Sequence, residues 1–225
     1  MSETQQITTP VNNQNAQSKS LRVMANIVSY LFHPVFFPLV MSFVLYKLVP
    51  TEFMGATNKQ VGLWFISIGM TGVFFPLFSI LLMKQLGFIG SFHMHTARER
   101  TIPLMAIMIF YFWVSHVFNN IPGAVPLVLK VLLLGNLWGI IVLFMINIFT
   151  KISMHTSAAG GMIGIILVLM MSSPVNMVLP LFIAILIAGV IGSARLIVGA
   201  HQKGDVWLGY IIGILVQLGA YAFMK

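Results

Sequence analysis

Apolar segments of about twenty residues recur along almost the whole chain, and they limit its fold more than any other feature. A helix needs roughly 20 residues to cross a hydrocarbon core of about 30 Å. Inside lipid every backbone polar group needs a partner, and a helix satisfies its own hydrogen bonds. With 59% hydrophobic residues, 7% charged residues and a mean hydropathy of +0.98, the chain is predicted to be an all-α, multi-pass membrane protein.

Seven apolar runs are candidate membrane spans, and the connections between them are short. The first run contains His33-Pro34 and Pro38, and because proline removes a backbone donor and kinks a helix, this run either crosses the membrane or re-enters it. The transmembrane helical bundle therefore has six or seven spans. We expect a disordered polar tail at residues 1–22 and a single transmembrane domain at residues 23–225. The runs cover residues 23–48, 60–83, 102–118, 125–149, 156–172, 176–195 and 205–224.

The composition excludes several kinds of chemistry. The chain has no cysteine, so neither a disulfide nor a thiolate metal site can form. Twelve Lys and Arg against four acids give a formal net charge of +8, which suits anionic membrane lipids or phosphorylated ligands. These cations are scattered between the spans rather than gathered on a soluble face, so nucleic acid is not an expected partner. The sequence leaves the oligomeric state open.

Three polar clusters interrupt the apolar pattern, at residues 93–100, 151–157 and 193–205. Successive clusters are separated by two crossings, and an even number of crossings returns the chain to the same face. All three clusters are therefore able to meet at one membrane surface, and parity allows one composite site. Charge does not identify that surface. Eight Lys and Arg lie on the cluster side of the membrane and four lie on the other side, but the two counts become equal if Arg98, Arg100, Arg195 and Lys203 are held in a binding site.

The third cluster contains Arg195, His201 and Asp205. His201 and Asp205 are one helical turn apart and share a face, so the carboxylate is able to accept the imidazole Nδ1 proton. Nε2 is then left as a nucleophile or base. Arg195 offers a planar fork of donors that matches phosphate oxygens.

The second cluster places Ser153 and His155 just before a helix start rich in small residues. Free backbone N–H groups at a helix start favour an anion, and the Ser153 hydroxyl adds a donor. His155 is suited to protonating a departing alkoxide. A nucleophilic histidine, an acidic histidine and several anion donors together indicate phosphoryl transfer.

These motifs resemble those of the type 2 phosphatidic acid phosphatase superfamily, whose fold is shared with vanadium-dependent haloperoxidases. The third family motif, Ser-Arg, five residues, His, three residues, Asp, matches Ser193 to Asp205 with one residue inserted between Ser and Arg. The second, Pro-Ser-Gly-His, keeps Ser153 and His155 but has Met154 in place of glycine. The first, a lysine, six residues and Arg-Pro, has its nearest counterpart in Arg100 and Pro103, with His93 at the lysine position.

The resemblance covers residues 93–224 and implies a set of roles for the motif residues. His201 would attack phosphorus to give a phosphohistidine, Asp205 would orient it, and His155 would protonate the leaving group. The phosphate oxygens would be held by Arg195, Ser153, Arg100 or its rival Arg98, and the N–H of Met154, with Lys203 or protonated His93 replacing the family lysine.

The resemblance also implies the substrate and the location of the protein. Substrates of the family are lipid phosphates or diphosphates such as phosphatidic acid, phosphatidylglycerol phosphate and undecaprenyl diphosphate. No metal or other cofactor is required. The expected location is the cell membrane.

Other interpretations of the same residues remain open. The third cluster is also consistent with a structural ion pair that closes a loop. A catalytically weak or inactive relative would bind or translocate anionic lipid, and a proton or ion transporter would use the intramembrane His, Arg and Asp as a relay. His33, a lone histidine before a proline, is expected to be a packing residue, and His93 with His95 makes only a weak metal site.

Overall fold

The computed structural model describes residues 18–90, 97–123 and 125–225, with the backbone alone for residues 97–99. Within these ranges the chain is all-helical and contains no strand. Short 3₁₀ turns at Pro34–Phe36 and Pro50–Phe53 and a π-helical segment at Met70–Phe74 join some of the helices. The helices are α1 (Lys19–Leu31), α2 (Phe37–Leu48), α3 (Asn58–Gly69), α4 (Phe75–Gln85), α5 (Ala97–Asn120), α6 (Leu127–Asn147), α7 (Met154–Ser172), α8 (Val178–Ile197) and α9 (Lys203–Met224).

Seven helical segments of the described chain are long and apolar enough to cross a membrane, so the chain is a multi-pass membrane protein. The first segment joins α1 to α2 (Lys19–Leu48), and the second joins α3 to α4 (Asn58–Gln85). Length and composition therefore favour seven spans over six. The last four predicted runs agree with α6, α7, α8 and α9 to within two residues at each end.

The predicted boundaries are wrong at two places, and local chemistry explains both. Residues 19–22 belong to the first turn of α1 rather than to a tail, because the Ser18 side chain accepts a hydrogen bond from the N–H of Leu21 at 3.3 Å and caps the helix. Residues 1–17 of the expected tail lie outside the described residues. α5 begins before residue 102 and continues through Pro103, so Arg100 is a helical residue.

Prolines divide the first two spans. α1 ends at Leu31, the His33 side chain caps the turn that contains Pro34, and α2 begins at Phe37. In the second span, the π-helical segment precedes Pro76, which has no N–H to continue the regular helical ladder. The break in the first span brings the end of α1 and the start of α2 to the end of the bundle that carries the polar clusters.

α7 and α9 form the most extensive helix pair of the bundle. A Cβ atom on Gly213 would overlap the carbonyl oxygen of Ser157, and one on Gly160 would overlap that of Tyr210. Small residues thus let the two backbones approach closely, as is common between membrane helices. Because α7 and α9 both start at the clustered end, this packing fixes the start of one against the start of the other.

The remaining helices surround this pair. α6 packs against α9 and α5, α8 packs against α7, α1 packs against α8, and α2 packs against α6 and α3. The centre of the bundle is largely apolar, with fully buried side chains such as Leu132 on α6 and Ile165 on α7. One polar pair interrupts it, in which Gln217 Nε2 on α9 donates to Asn136 Oδ1 on α6 at 3.1 Å.

Candidate functional site

The described parts of all three polar clusters meet at one end of the bundle. Arg100 comes from the start of α5, Lys151 from the connection between α6 and α7, Arg195 from the end of α8, and Asp205 from the start of α9. All four act electrostatically on His201, in the connection between α8 and α9. The described residues of the three clusters therefore lie together at one end of the bundle.

His201 and Asp205 lie side by side. His201 Nδ1 is 3.7 Å from Asp205 Oδ2, which is an ion-pair distance rather than a hydrogen bond. The carboxylate oxygen also accepts the N–H of Gln202 at 3.0 Å, so it caps α9 as well as facing the imidazole. The His201 side chain is only 4% exposed, and among the described residues its Nδ1 has no hydrogen-bond partner. The ring therefore turns Nδ1 toward the carboxylate.

His201 is neutral at neutral pH. Its pKa is lowered from 6.5 to about 4, first by burial and then by the charges of Arg195, Arg100 and Lys151, while Asp205 acts in the opposite direction. The pKa of Lys151 is also lowered, by burial and by Arg100 and Arg195. Three cations and one carboxylate around a neutral imidazole make this end of the bundle a place for an anion.

Ser153 begins α7 and is completely buried. Its Oγ accepts the N–H of Thr156 at 3.3 Å, so the hydroxyl acts as the N-cap of the helix. A hydroxyl that accepts one hydrogen bond still has a proton to donate. Met154 follows as the first helical residue, and its side chain packs against the hydrophobic core, so this position does not require glycine.

Arg195 is anchored to α1. Its Nη1 donates to Ser29 Oγ at 3.0 Å, and the Ser29 hydroxyl donates in turn to the carbonyl oxygen of Ala25 at 2.8 Å. Arg195 Nε is buried and has no hydrogen-bond partner within the described ranges. One edge of the guanidinium is therefore held by protein, and the group keeps a donor for another acceptor.

His155 also contacts α1. Its Nε2 lies 3.0 Å from the Ser29 carbonyl oxygen, and because a carbonyl only accepts, Nε2 carries the proton. The ring of His33 stands edge-to-face against it, with 5.5 Å between the centroids. His33 Nδ1 accepts the N–H of Val35 at 3.3 Å. His155 interacts electrostatically with Arg195, His33 and His201, so the two motif histidines belong to one cluster.

Ser29 and His33 are the site residues that the sequence did not predict. His33 is not packed away in the core, since it is exposed and lies against His155. A signal for Ser29 exists in the helical spacing of the polar positions of α1, namely Lys19, Arg22, Asn26 and Ser29, which fall on one face of the helix but do not identify the partner of that face. That face ends at the site. His33 follows α1 and has no such signal.

The other predicted phosphate-binding residues have different outcomes. Arg100 is buried and lies within electrostatic reach of His201. Lys203 is exposed, and Lys151 rather than Lys203 is the lysine that acts on His201. The side chain of Arg98 and all of His93 lie outside the described residues. Within the described ranges, no three His, Asp or Glu side chains come together in a way that would hold a metal ion.

Comparison with known proteins gives no further assignment. No protein-family model, no curated protein and no solved structure matches this chain.

Proposed function

We propose that the chain is a membrane phosphatase of the type 2 phosphatidic acid phosphatase superfamily. It hydrolyses a lipid phosphate or diphosphate in the cell membrane through a phosphohistidine. The observation that carries this proposal is the meeting of a neutral, buried His201 with Asp205, Arg195, Arg100 and Lys151 at one end of the bundle. A neutral imidazole is a nucleophile, and the cations stabilise the negative charge of a phosphoryl group.

In the proposed reaction, Nδ1 of His201 faces Asp205 and Nε2 attacks phosphorus. As the N–P bond forms, the bond to the leaving oxygen breaks, and that oxygen takes a proton from the imidazolium form of His155, which becomes the neutral ring. Asp205 stabilises the positive charge that develops on the His201 ring. Water then attacks phosphorus, gives its proton to His155, and the N–P bond electrons return to Nε2.

The three cations have complementary roles in this reaction. Arg195 has a buried Nε donor that is not used by the described protein groups, and it is suited to one phosphate oxygen. Arg100 and Lys151 contribute positive charge from two other segments, and Lys151 would take the part that the resemblance gives to the first-motif lysine. The net positive charge favours the incoming lipid phosphate over the lipid product, which carries one phosphate group fewer.

Phosphate release from detergent-solubilised lipid phosphates tests the proposal. The wild type should release phosphate from at least one of phosphatidic acid, phosphatidylglycerol phosphate and undecaprenyl diphosphate, and His201→Ala should abolish release. His116→Ala is the matched control, because His116 is exposed and lies about 24 Å along α5 from Arg100. Unchanged turnover in His201→Ala would overturn the assignment.

A second candidate is a relative that binds or translocates anionic lipid without turnover. The bond between His155 Nε2 and the Ser29 carbonyl favours it, because this bond occupies a ring nitrogen that the leaving-group acid would use. In that case the wild type releases no phosphate from any of the three lipids but still binds them, and Arg195→Ala weakens binding. The same assay therefore separates the two candidates.

A further inference from the structure

A large apolar groove begins at the candidate phosphate site. It has a volume of about 650 Å³, which falls within the range of small-molecule sites. His33 and His155 line it, and every other lining residue is apolar. Because both histidines lie in the phosphate cluster, the polar end of the groove is continuous with that cluster.

The groove runs along the bundle away from the polar end. Its floor is formed by α7, from His155 to Ile166, and this stretch of helix is about 16 Å long. Its walls are α2 and α8, where the lining extends as far as Leu48 and Leu179. Leu48 is the last residue of α2 and Leu179 is the second residue of α8, so the groove reaches the ends of these two helices that lie opposite the polar clusters.

The groove is open on the side that faces lipid. Val40 on α2 and Ile183 on α8 line it and are 53% and 47% exposed. α8 packs against α7 and α1, whereas α2 packs against α6 and α3, so α2 and α8 are supported by different neighbours. A hydrocarbon chain is thus able to enter sideways from the bilayer without leaving the apolar phase.

We propose that this groove binds one linear acyl chain of the substrate, which lies along the bundle while its phosphate is held at Arg195 and His201. This inference rests on the proposed function and specifies its substrate class as acyl-chain lipid phosphates. The groove selects chains by length when the ligand is dissolved in water, because each methylene that enters the groove then leaves water for an apolar lining. A methylene beyond the end of the groove adds no binding free energy.

The test uses a series of water-soluble single-chain alkyl phosphates of increasing length, with KM expressed as the concentration that is free in water rather than held in detergent micelles. In the wild type, each added methylene should lower KM about fourfold until the chain reaches the end of the groove. Ile183→Trp fills the deep part of the groove, so the decrease should stop at a shorter chain. Ala184→Phe, at a buried position of the same wall, should have the same effect.

Ile185→Trp is the matched control. Ile185 is on the same helix, is 51% exposed and does not line the groove, so this variant changes the lipid-facing surface to a similar extent. Its chain-length profile should coincide with that of the wild type. Identical profiles in Ile183→Trp and Ile185→Trp would overturn the inference, and because Ile183 is at an exposed rim this comparison does not depend on how well Ala184→Phe folds.

The shortest, water-soluble alkyl phosphate separates this inference from the proposed function. If phosphate is released from this compound but the chain-length profile of Ile183→Trp equals that of the wild type, the groove inference fails and the phosphatase proposal stands. If no alkyl phosphate is hydrolysed, the phosphatase proposal fails. The groove is then tested by the rise in thermal midpoint that the same alkyl phosphates cause when they bind. A dependence of this rise on chain length that differs between the wild type and Ile183→Trp supports the acyl site, and one that is the same in both overturns it.

Discussion

At the scale of single residues, the charge around His201 determines its protonation. Burial and three nearby cations lower its pKa to about 4, against the one opposing carboxylate of Asp205. Since the neutral ring is the nucleophile, the active form is present above about pH 4 and is lost as the pH falls through that value. An unperturbed histidine would lose activity near pH 6.5.

The first prediction concerns this acid limb. The variant Lys151→Met removes a positive neighbour, so the pKa of His201 rises toward its ordinary value and the acid limb of kcat/KM moves to higher pH. Lys203→Met is the control, because Lys203 is exposed and is not among the groups that shift His201. Titration of the substrate is the same in all variants. A limb that moves equally in both variants, or in neither, would contradict this account of the site.

The second prediction concerns Arg195. Arg195→Lys keeps the positive charge but loses the planar guanidinium. In the wild type, Nη1 of this group donates to Ser29 and its Nε remains available for a phosphate oxygen. Losing one preorganised donor costs about 10² to 10³ in rate, and kcat should fall by that factor. Arg22→Lys, at an exposed position of α1, should leave kcat unchanged. Equal kcat values for the two variants would show that charge alone is sufficient at Arg195.

At the scale of helices, the site depends on how closely α7 and α9 pack. Ser153 and His155 begin α7, and Asp205 is in the first turn of α9, so a change in the distance between these helices separates the two halves of the site. The closest approach of the backbones occurs where Gly213 faces Ser157.

The third prediction tests this packing. A Cβ on Gly213 would overlap the Ser157 carbonyl oxygen, so Gly213→Ala forces the helices apart and costs about 1 to 3 kcal/mol of stability. Both the thermal midpoint and kcat/KM should fall. Gly189→Ala on α8 is the control, because a Cβ there meets no atom within 4 Å, and it should leave both quantities unchanged. A normal kcat/KM in Gly213→Ala would mean that the site does not require this contact.

The helices were predictable from sequence, but their neighbours were not. Lipid requires each apolar run to be a helix, so the runs from α6 to α9 could be placed to within two residues. The contact of α1 with the site depends on Arg195 reaching Ser29 across 166 residues, and no local pattern encodes such a contact. His33 appeared isolated in the sequence because the packing that sets it against His155 is tertiary.

At the scale of the whole molecule, counting crossings allowed the polar clusters to meet. Two spans separate successive clusters, and the described residues of all three are found together. Counting crossings could not predict which cation stands beside the nucleophile: the sequence suggested Lys203, whereas the connection between α6 and α7 brings Lys151 to His201. The same applies to the groove, because α2 is distant in sequence from α7 and α8, the two consecutive helices that complete it.

The most direct test of the central claim is to trap the covalent intermediate. The protein is mixed with a lipid phosphate that carries labelled phosphorus, quenched rapidly in alkali and digested, and the labelled peptide is identified. We predict label on His201, stable in alkali and lost in acid, and no label in His201→Ala. Turnover without any labelled histidine, or label on a residue outside the cluster, would contradict the account.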